Sequence, residues 1–212
     1  DIPYEQKSHR TEITLTLAPN ESVFIVYPAE EDDKETSEKE RKEKKDSVKE
    51  ASETGLEATE YTVTFTANGK TIQRRELFDW SKEEDEQIRY YSGTAVYKTT
   101  FRWKSKVKED QQVYLNLGKV CDLATVRVNG IDCGTIWTAP YRADITAALK
   151  KGVNELEIEV TNTWANALKG ADEGKAPFDG IWTNAKYRRA ENTLLPAGLL
   201  GPLNFDVANK NK

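Results

Sequence analysis

The 212-residue sequence has no methionine, one histidine and two cysteines. Without a methionine, it is read as a mature protein or an excised piece of something longer. A signal peptide on a parent chain would then not show. A structural zinc site wants four Cys or His ligands, and this chain has three such residues in all. A Ser-His-Asp or Cys-His catalytic unit would have to use His9, which lies in a polar N-terminal stretch. No apolar run approaches the roughly 18 residues needed to span a membrane. No P-loop and no strand-to-helix Gly-x-Gly-x-x-Gly occurs. Basic surplus is also missing, since the formal net charge is -5. Nucleic-acid binding driven by phosphate contacts is therefore not expected.

What is present is a chain long enough to bury about 70% of its unfolded surface. Its mean hydropathy of -0.74 is low for that, but one segment distorts the average. Of the 21 residues from 30 to 50, 17 are charged, and they contribute -3 of the net charge. Glu35, Lys39 and Glu43 are at helical spacing there, yet almost no apolar side chain is available to dock a helix. Residues 29–55 are therefore expected to be a solvated linker or insertion.

The rest reads as strands. Ile13, Leu15 and Leu17 alternate with threonines, Pro19-Asn20 signals a turn, and Val23 to Tyr27 is strongly β-prone. From Tyr61 onward the alternation is nearly continuous. Tyr61, Val63 and Phe65 precede the hairpin signal Asn68-Gly69. Ser81 to Glu84 has the spacing of a capping box opening a short helix. In 94–103, Ala95, Tyr97, Thr99, Phe101 and Trp103 share a face, with Lys98 and Arg102 on the other. Val113, Leu115 and Leu117 repeat the pattern. Val126 and Val128 lead into Asn129-Gly130, so Val128 should face Ile131 and Val126 should face Cys133. Leu156, Ile158 and Val160 alternate with Glu155, Glu157 and Glu159, and Leu203, Phe205 and Val207 form a last strand. A short helical piece is expected at Ile145 to Lys150, stopped by Gly152. Many short alternating strands indicate an all-β sandwich or barrel. Cys121 falls well past Cys133 in that ladder, so two buried free thiols are expected, not a bridge.

Three stretches carry a family resemblance: Arg89 to Phe101 (RYYSGTAVYKTTF); Leu115 to Val120 (LNLGKV) continuing through Val126 to Gly130 (VRVNG) and Trp137; and Pro140 to Thr146 (PYRADIT) continuing through Gly152 to Leu156 (GVNEL) and Val160 to Trp164 (VTNTW). Their order resembles the sugar-binding jelly-roll domain of family 2 glycoside hydrolases. It is closer to the C-terminal domain of large bacterial α-L-rhamnosidases of family 106, in which a similar stretch ends in Gly-Leu-Leu-Gly-Pro, as Gly198 to Pro202 does here. The resemblance covers roughly residues 60–207, together with the 11–27 hairpin. One departure is Asn166 to Asp172 (NALKGAD), where the rhamnosidase-like pattern continues Asn-x-Leu-Ile-Gly-Asp.

The resemblance implies a jelly-roll β-sandwich of the galactose-binding-domain-like type over residues 56–208. Residues 1–28 would be terminal strands of a preceding β-domain, and 209–212 a tail. It implies a noncatalytic accessory domain of a polysaccharide-degrading glycoside hydrolase, exported to the periplasm or cell surface. The catalytic domain of the same parent chain would be its partner. A plant-type oligosaccharide is its expected ligand; no nucleic acid or membrane is expected. Trp137, Tyr141, Arg142, Asn162, Trp164 and Asn166 fall in or beside loops after strands. Aromatic faces for sugar C–H groups and amide or guanidinium groups for hydroxyls suit carbohydrate. The same tryptophans also suit core or interface packing, and Trp182 is open to both readings. Asp172, Glu173 and Asp179 are a candidate structural calcium site. A glycosidase needs two converging carboxylates, whereas Glu155, Glu157 and Glu159 line one outer strand face. Three readings remain: structural module, carbohydrate-binding module, and enzyme in its own right.

Overall fold

The computed structural model describes residues 4–7, 10–15, 23, 54–56, 60–184 and 193–209. The chain divides into two compact units, Asp1–Ser47 and Val48–Lys212. Within the first, β1 (Tyr4–Lys7) pairs antiparallel with β2 (Arg10–Ile13), Tyr4 opposite Ile13 and Lys7 opposite Arg10. Of the first strand expected in 11–27, residues 11–13 lie in β2, Thr14 and Leu15 lie beyond its end, and Thr16 and Leu17 lie outside the described residues. The Pro19-Asn20 turn, the Val23 to Tyr27 strand and nearly all of the charged segment lie outside the described residues.

The second unit is a β-sandwich. A six-stranded antiparallel sheet has the order β10-β9-β12-β6-β4-β5. Its members are β4 (Tyr61–Phe65), β5 (Thr71–Arg74), β6 (Thr94–Trp103), β9 (Leu123–Val128), β10 (Ile131–Ile136) and β12 (Gly152–Thr161). A four-stranded sheet has the order β11-β7-β14-β3. It contains β3 (Thr54–Gly55), β7 (Gln111–Asn116), β11 (Arg142–Asp144) and β14 (Asn204–Asn209). A small ladder joins β8 (Lys119–Cys121) to β13 (Gly198–Gly201). Thr54-Gly55, which the charge pattern assigns to the linker, pairs with Asn204 and Phe205.

Period-two alternation explains the layers. Val63, Phe65, Ala95, Tyr97, Val126, Leu156 and Ile158 of one sheet, and Val113, Leu115 and Phe205 of the other, belong to one buried cluster. Phe101 meets Phe205 across the layers at a centroid distance of 5.0 Å. The Gly-Leu-Leu-Gly run has a steric cause. A Cβ on Gly198, whose φ is +101°, would sit 2.4 Å from Trp80 Nε1. That indole nitrogen donates to Tyr97 Oη at 2.6 Å, and Leu199 N donates to the same oxygen. Burial pushes the Tyr97 hydroxyl far above its ordinary titration range.

Several local expectations are corrected. Ser81 caps no helix. Asp79 caps a 3-10 turn at Trp80–Lys82, and Asp85 caps α1 (Glu86–Arg89). Asp79 Oδ1 also accepts from Ala197 N at 3.0 Å, which ties this turn to a residue 118 positions away. The Ile145 to Lys150 piece is one turn, with Asp144 Oδ1 accepting from Thr146 N. The true helix is α2 (Ala165–Asp172), in the stretch expected to be a loop. Its Trp164 N-cap offers no side-chain bond, but Ala167 N donates to Ser92 Oγ from a distant strand lead-in. In the β9–β10 hairpin Val128 does face Ile131, but a bulge follows Asp132, so Thr135 faces Thr125 and Cys133 has no partner opposite Val126. Both cysteines are free; Cys121 is buried and Cys133 half-buried. No described helix is long and apolar enough to cross a membrane.

Candidate functional site

One end of the sandwich collects the loops that carry the candidate residues. There β9 begins at Leu123, β12 ends at Thr161 and β10 ends at Ile136. Leu123 pairs with Thr161, and Ile136 with Ala124. Trp137 and the Thr163-Trp164 segment therefore leave the sheet on either side of Asp122. Asp122 links the pieces. Its backbone N–H donates to Thr161 O at 3.0 Å, its Oδ2 accepts from Thr163 N at 3.1 Å, and its carbonyl accepts from Tyr141 Oη at 3.1 Å. Burial raises the Tyr141 hydroxyl, and the Asp122 charge adds to that. Asp122 escaped the sequence reading because its partners are 19 to 41 residues away.

The six expected carbohydrate-contacting residues fall into three groups. Trp137 is 73% exposed and Trp164 53% exposed, so neither is a core anchor. Trp164 stands edge-on to Phe178 at 6.3 Å, which leaves part of its indole to solvent. Tyr141 is half-buried beside them.

Asn162 and Asn166 are different: both are buried and spent on backbone. Asn162 Oδ1 accepts from Gly93 N at 2.8 Å and its Nδ2 donates to Tyr91 O at 3.0 Å. Asn166 exchanges two 2.8 Å bonds with the backbone of Leu195. These amides tie the strand ends and α2 to distant loops, as buried polar groups must be tied. Arg142 opens β11 and its guanidinium carbon lies over the Tyr114 ring, 3.9 Å from its centroid, on the four-stranded sheet. Trp182, 77% exposed, joins the accessible indoles.

Three of the candidate carboxylates, Glu157, Glu159 and Glu173, are occupied. Glu157 pairs with Lys98 at 2.9 Å and with Arg127 at 3.1 Å, and Glu159 pairs with Arg127. Hydrogen bonding from Lys98 first, and charge from both bases, lowers the Glu157 pKa. Glu173 accepts from Tyr90 Oη at 2.7 Å and pairs with Lys169. That hydrogen bonding, Lys169 first and then Tyr90, holds its pKa down. Asp172, Glu173 and Asp179 do not converge, and no trio of His, Cys, Asp or Glu among the described residues is placed to hold a metal ion.

Comparison with known proteins places this geometry. Residues 70–193 match the family described as glycosyl hydrolase 2 galactose-binding domain-like. A Formosa agariphila protein, provisionally named a beta-glucuronidase, is 38% identical over 175 residues, covering 69% of this chain and 15% of its own length. A rhamnosidase structure from Novosphingobium sp. PP1Y is 37% identical, with a TM-score of 0.67 over 76% of this chain and 16% of its own. A beta-D-glucuronidase structure from Dictyoglomus thermophilum shares the fold, with a TM-score of 0.52 at 17% identity, covering 79% of this chain and 29% of its own. The chain thus spans about a sixth of the length of the first two relatives. Its sandwich and its ordered strand motifs make it a member of the glycosyl hydrolase 2 galactose-binding domain-like family.

Proposed function

We propose that this chain is a noncatalytic accessory domain of a polysaccharide-degrading glycoside hydrolase of the α-L-rhamnosidase-like kind. It supports the catalytic domain of its parent chain and contacts a plant-type oligosaccharide at the loop end of the sandwich. The observation that carries the reading is the exposure of Trp137 and Trp164 at that end, beside Tyr141. Exposed indoles are costly for a domain that only folds, and they suit the C–H faces of sugars. The engagement of Glu157, Glu159 and Glu173 by bases argues against a two-carboxylate hydrolytic site built from them. On this reading the parent is exported to the periplasm or cell surface.

The test is a calorimetric and tryptophan-fluorescence titration of the chain with rhamnose, galactose, galacturonic acid and pectic oligosaccharides. Saturable quenching that disappears in Trp137→Ala or Trp164→Ala, with folding intact, supports sugar contact at this end. Absence of binding at millimolar sugar removes the carbohydrate part and favours purely structural support, with the indoles covered by the catalytic domain.

A further inference from the structure

Two connections cross between the sheets at the end of the sandwich opposite Trp137 and Trp164. One runs from the end of β6 at Trp103 to the start of β7 at Gln111. The other runs from the end of β11 at Asp144 to the start of β12 at Gly152. They lie side by side. Trp103 pairs with Gly152 on the six-stranded sheet, and Ile145 N donates to Val113 O at 3.0 Å on the four-stranded one.

These connections and the strand ends beside them carry six bases, Arg102, Lys104, Lys106, Lys108, Lys150 and Lys151, against two acids, Glu109 and Asp110. All six bases are exposed. None forms an ion pair with another described residue. Elsewhere on this unit Lys70, Arg74, Lys98, Arg127, Lys169 and Lys175 each meet a carboxylate. Lys104 and Lys151 flank the Trp103–Gly152 pair on its outer side, and like charges placed across a ladder repel. An ordinary solvated surface intersperses both signs. Here a chain of net charge -5 gathers unpaired positive charge at one end.

We propose that this end is a docking surface for a polyuronate, a linear polysaccharide with a carboxylate on most of its sugars. It goes beyond the function proposed above, because it concerns the opposite end and is carried by the charge found there. That charge calls for a polyanion, and the makeup of the face selects among polyanions. Single-stranded nucleic acid is held by aromatic platforms for its bases, and duplex DNA by a helix or ribbon in its groove. The exposed tryptophans, Trp137, Trp164 and Trp182, lie outside both connections, and neither connection holds an α-helix. An anionic bilayer takes up an apolar face, whereas only Val153, and Ile131 on the neighbouring hairpin, stand exposed here. Interfaces between folded proteins are depleted of lysine. A single phosphate or sulfate held by geometry calls for the arginine fork, and five of the six bases are lysines. A lysine ammonium is a point charge on a flexible stem. It can meet successive carboxylates of an extended chain without a fixed geometry, as Lys98 meets Glu157 at 2.9 Å. The connections cross between sheets about 10 Å apart, which gives room for several sugars.

The test is an amide-resolved NMR titration of the whole chain with decagalacturonate. Separate arms use a neutral galactan oligomer of equal length, oligoglutamate, duplex DNA and phosphatidylglycerol vesicles. Support requires saturable shifts in residues 102–110 and 148–153 with decagalacturonate, weakening as salt is raised. It also requires at least tenfold weaker binding in two variants. One combines Lys104→Gln, Lys106→Gln and Lys108→Gln, and the other combines Lys150→Gln and Lys151→Gln. Both should keep or raise the melting temperature, since each removes unpaired like charges. Lys82→Gln combined with Lys119→Gln, at two exposed lysines elsewhere, should bind as the parent does. An equal loss in that control would overturn the surface. Tighter binding of galactan, oligoglutamate, DNA or vesicles would overturn the ligand class. Shifts confined to Trp137, Trp164 and their neighbours would overturn this surface and leave the proposed function standing. No shifts at this end with millimolar decagalacturonate would overturn it as well, and the neutral sugars of the earlier titration would still decide the proposed function.

Discussion

The outer faces of the two sheets come from the same alternation, yet they differ in what is left over. Long, flexible ions cover the six-stranded sheet and pair among themselves, Lys98 and Arg127 with Glu157 and Glu159. On the four-stranded sheet Asn116 donates to Asp206 and Arg142 lies over Tyr114, while one carboxylate oxygen of Asp206 has no hydrogen-bond partner among the described residues. Short cross-strand pairs occur on both faces, Thr94 with Thr161 on one and Asn116 with Asp206 on the other, and the long ions of the six-stranded sheet add a charge network to them. The loop end shows the same division on a smaller scale. Asn162 and Asn166 are fully engaged by backbone, while Trp137 and Trp164 are not covered.

Four measurements would break or sharpen this contrast. Both faces rest on one core, so the largest effect lies there. Leu156→Ala should cost about 2–5 kcal/mol in chemical denaturation, since Leu156 is buried in the shared cluster. Next comes the division at the loop end. Asn162→Ala strips the partners of Gly93 N and Tyr91 O, and should cost about 1–3 kcal/mol. Lost sugar binding without lost stability would instead restore Asn162 to the ligand site.

The third measurement concerns the four-stranded face. Asp206→Asn keeps an acceptor for Asn116 and removes the charge beside the orphan oxygen. Stability at neutral pH should hold or rise, by no more than about 1 kcal/mol. A clear loss would show that the Asp206 carboxylate is structurally satisfied.

The smallest effect belongs to the ion-paired face. The Glu157 pKa is depressed below its ordinary 4.5, by the Lys98 hydrogen bond first. A depressed carboxylate stabilises the fold fully above its unfolded value. That contribution is lost as pH falls through the folded value, so the window opens near pH 4.5 and extends downward. For a largely solvated pair the loss should be about 0.2–1 kcal/mol. Comparing the acid limb of the stability curve with that of Glu157→Gln checks it. High salt should shrink the difference.

Much of the sandwich was readable because strand alternation is local. Tyr61 to Phe65, Thr94 to Trp103 and Gly152 to Thr161 formed strands as expected, with Glu155, Glu157 and Glu159 outward. Asn129-Gly130 turned as expected, with both residues at positive φ. The bulge after Asp132 was not foreseen, although it shifts the alternation by one residue between Ile131 and Ile136, because the Asn129-Gly130 turn alone sets an unbroken two-residue register. Helix α2 was missed for a related reason. Its first-turn donor is satisfied by Ser92, and Gly170 lets it approach Tyr90, where a Cβ would lie 2.8 Å away. Neither signal is local. In the candidate site, the aromatic and polar residue types were visible in the sequence, and their division into exposed indoles and buried ties was not.

By itself, then, the sequence determined an all-β sandwich, its outward glutamate face, its hairpin turns and its place among galactose-binding-like domains. The first three follow from period-two burial and from the backbone freedom of particular turn residues, and the last from the order of motifs shared with that family. Tertiary structure alone decided which polar groups are satisfied, because the partners are remote: Asn162 with Tyr91, 71 residues apart, and Asn116 with Asp206, 90 apart. Hydrogen-bond satisfaction is a property of the folded neighbourhood, and no local pattern in the chain carries it.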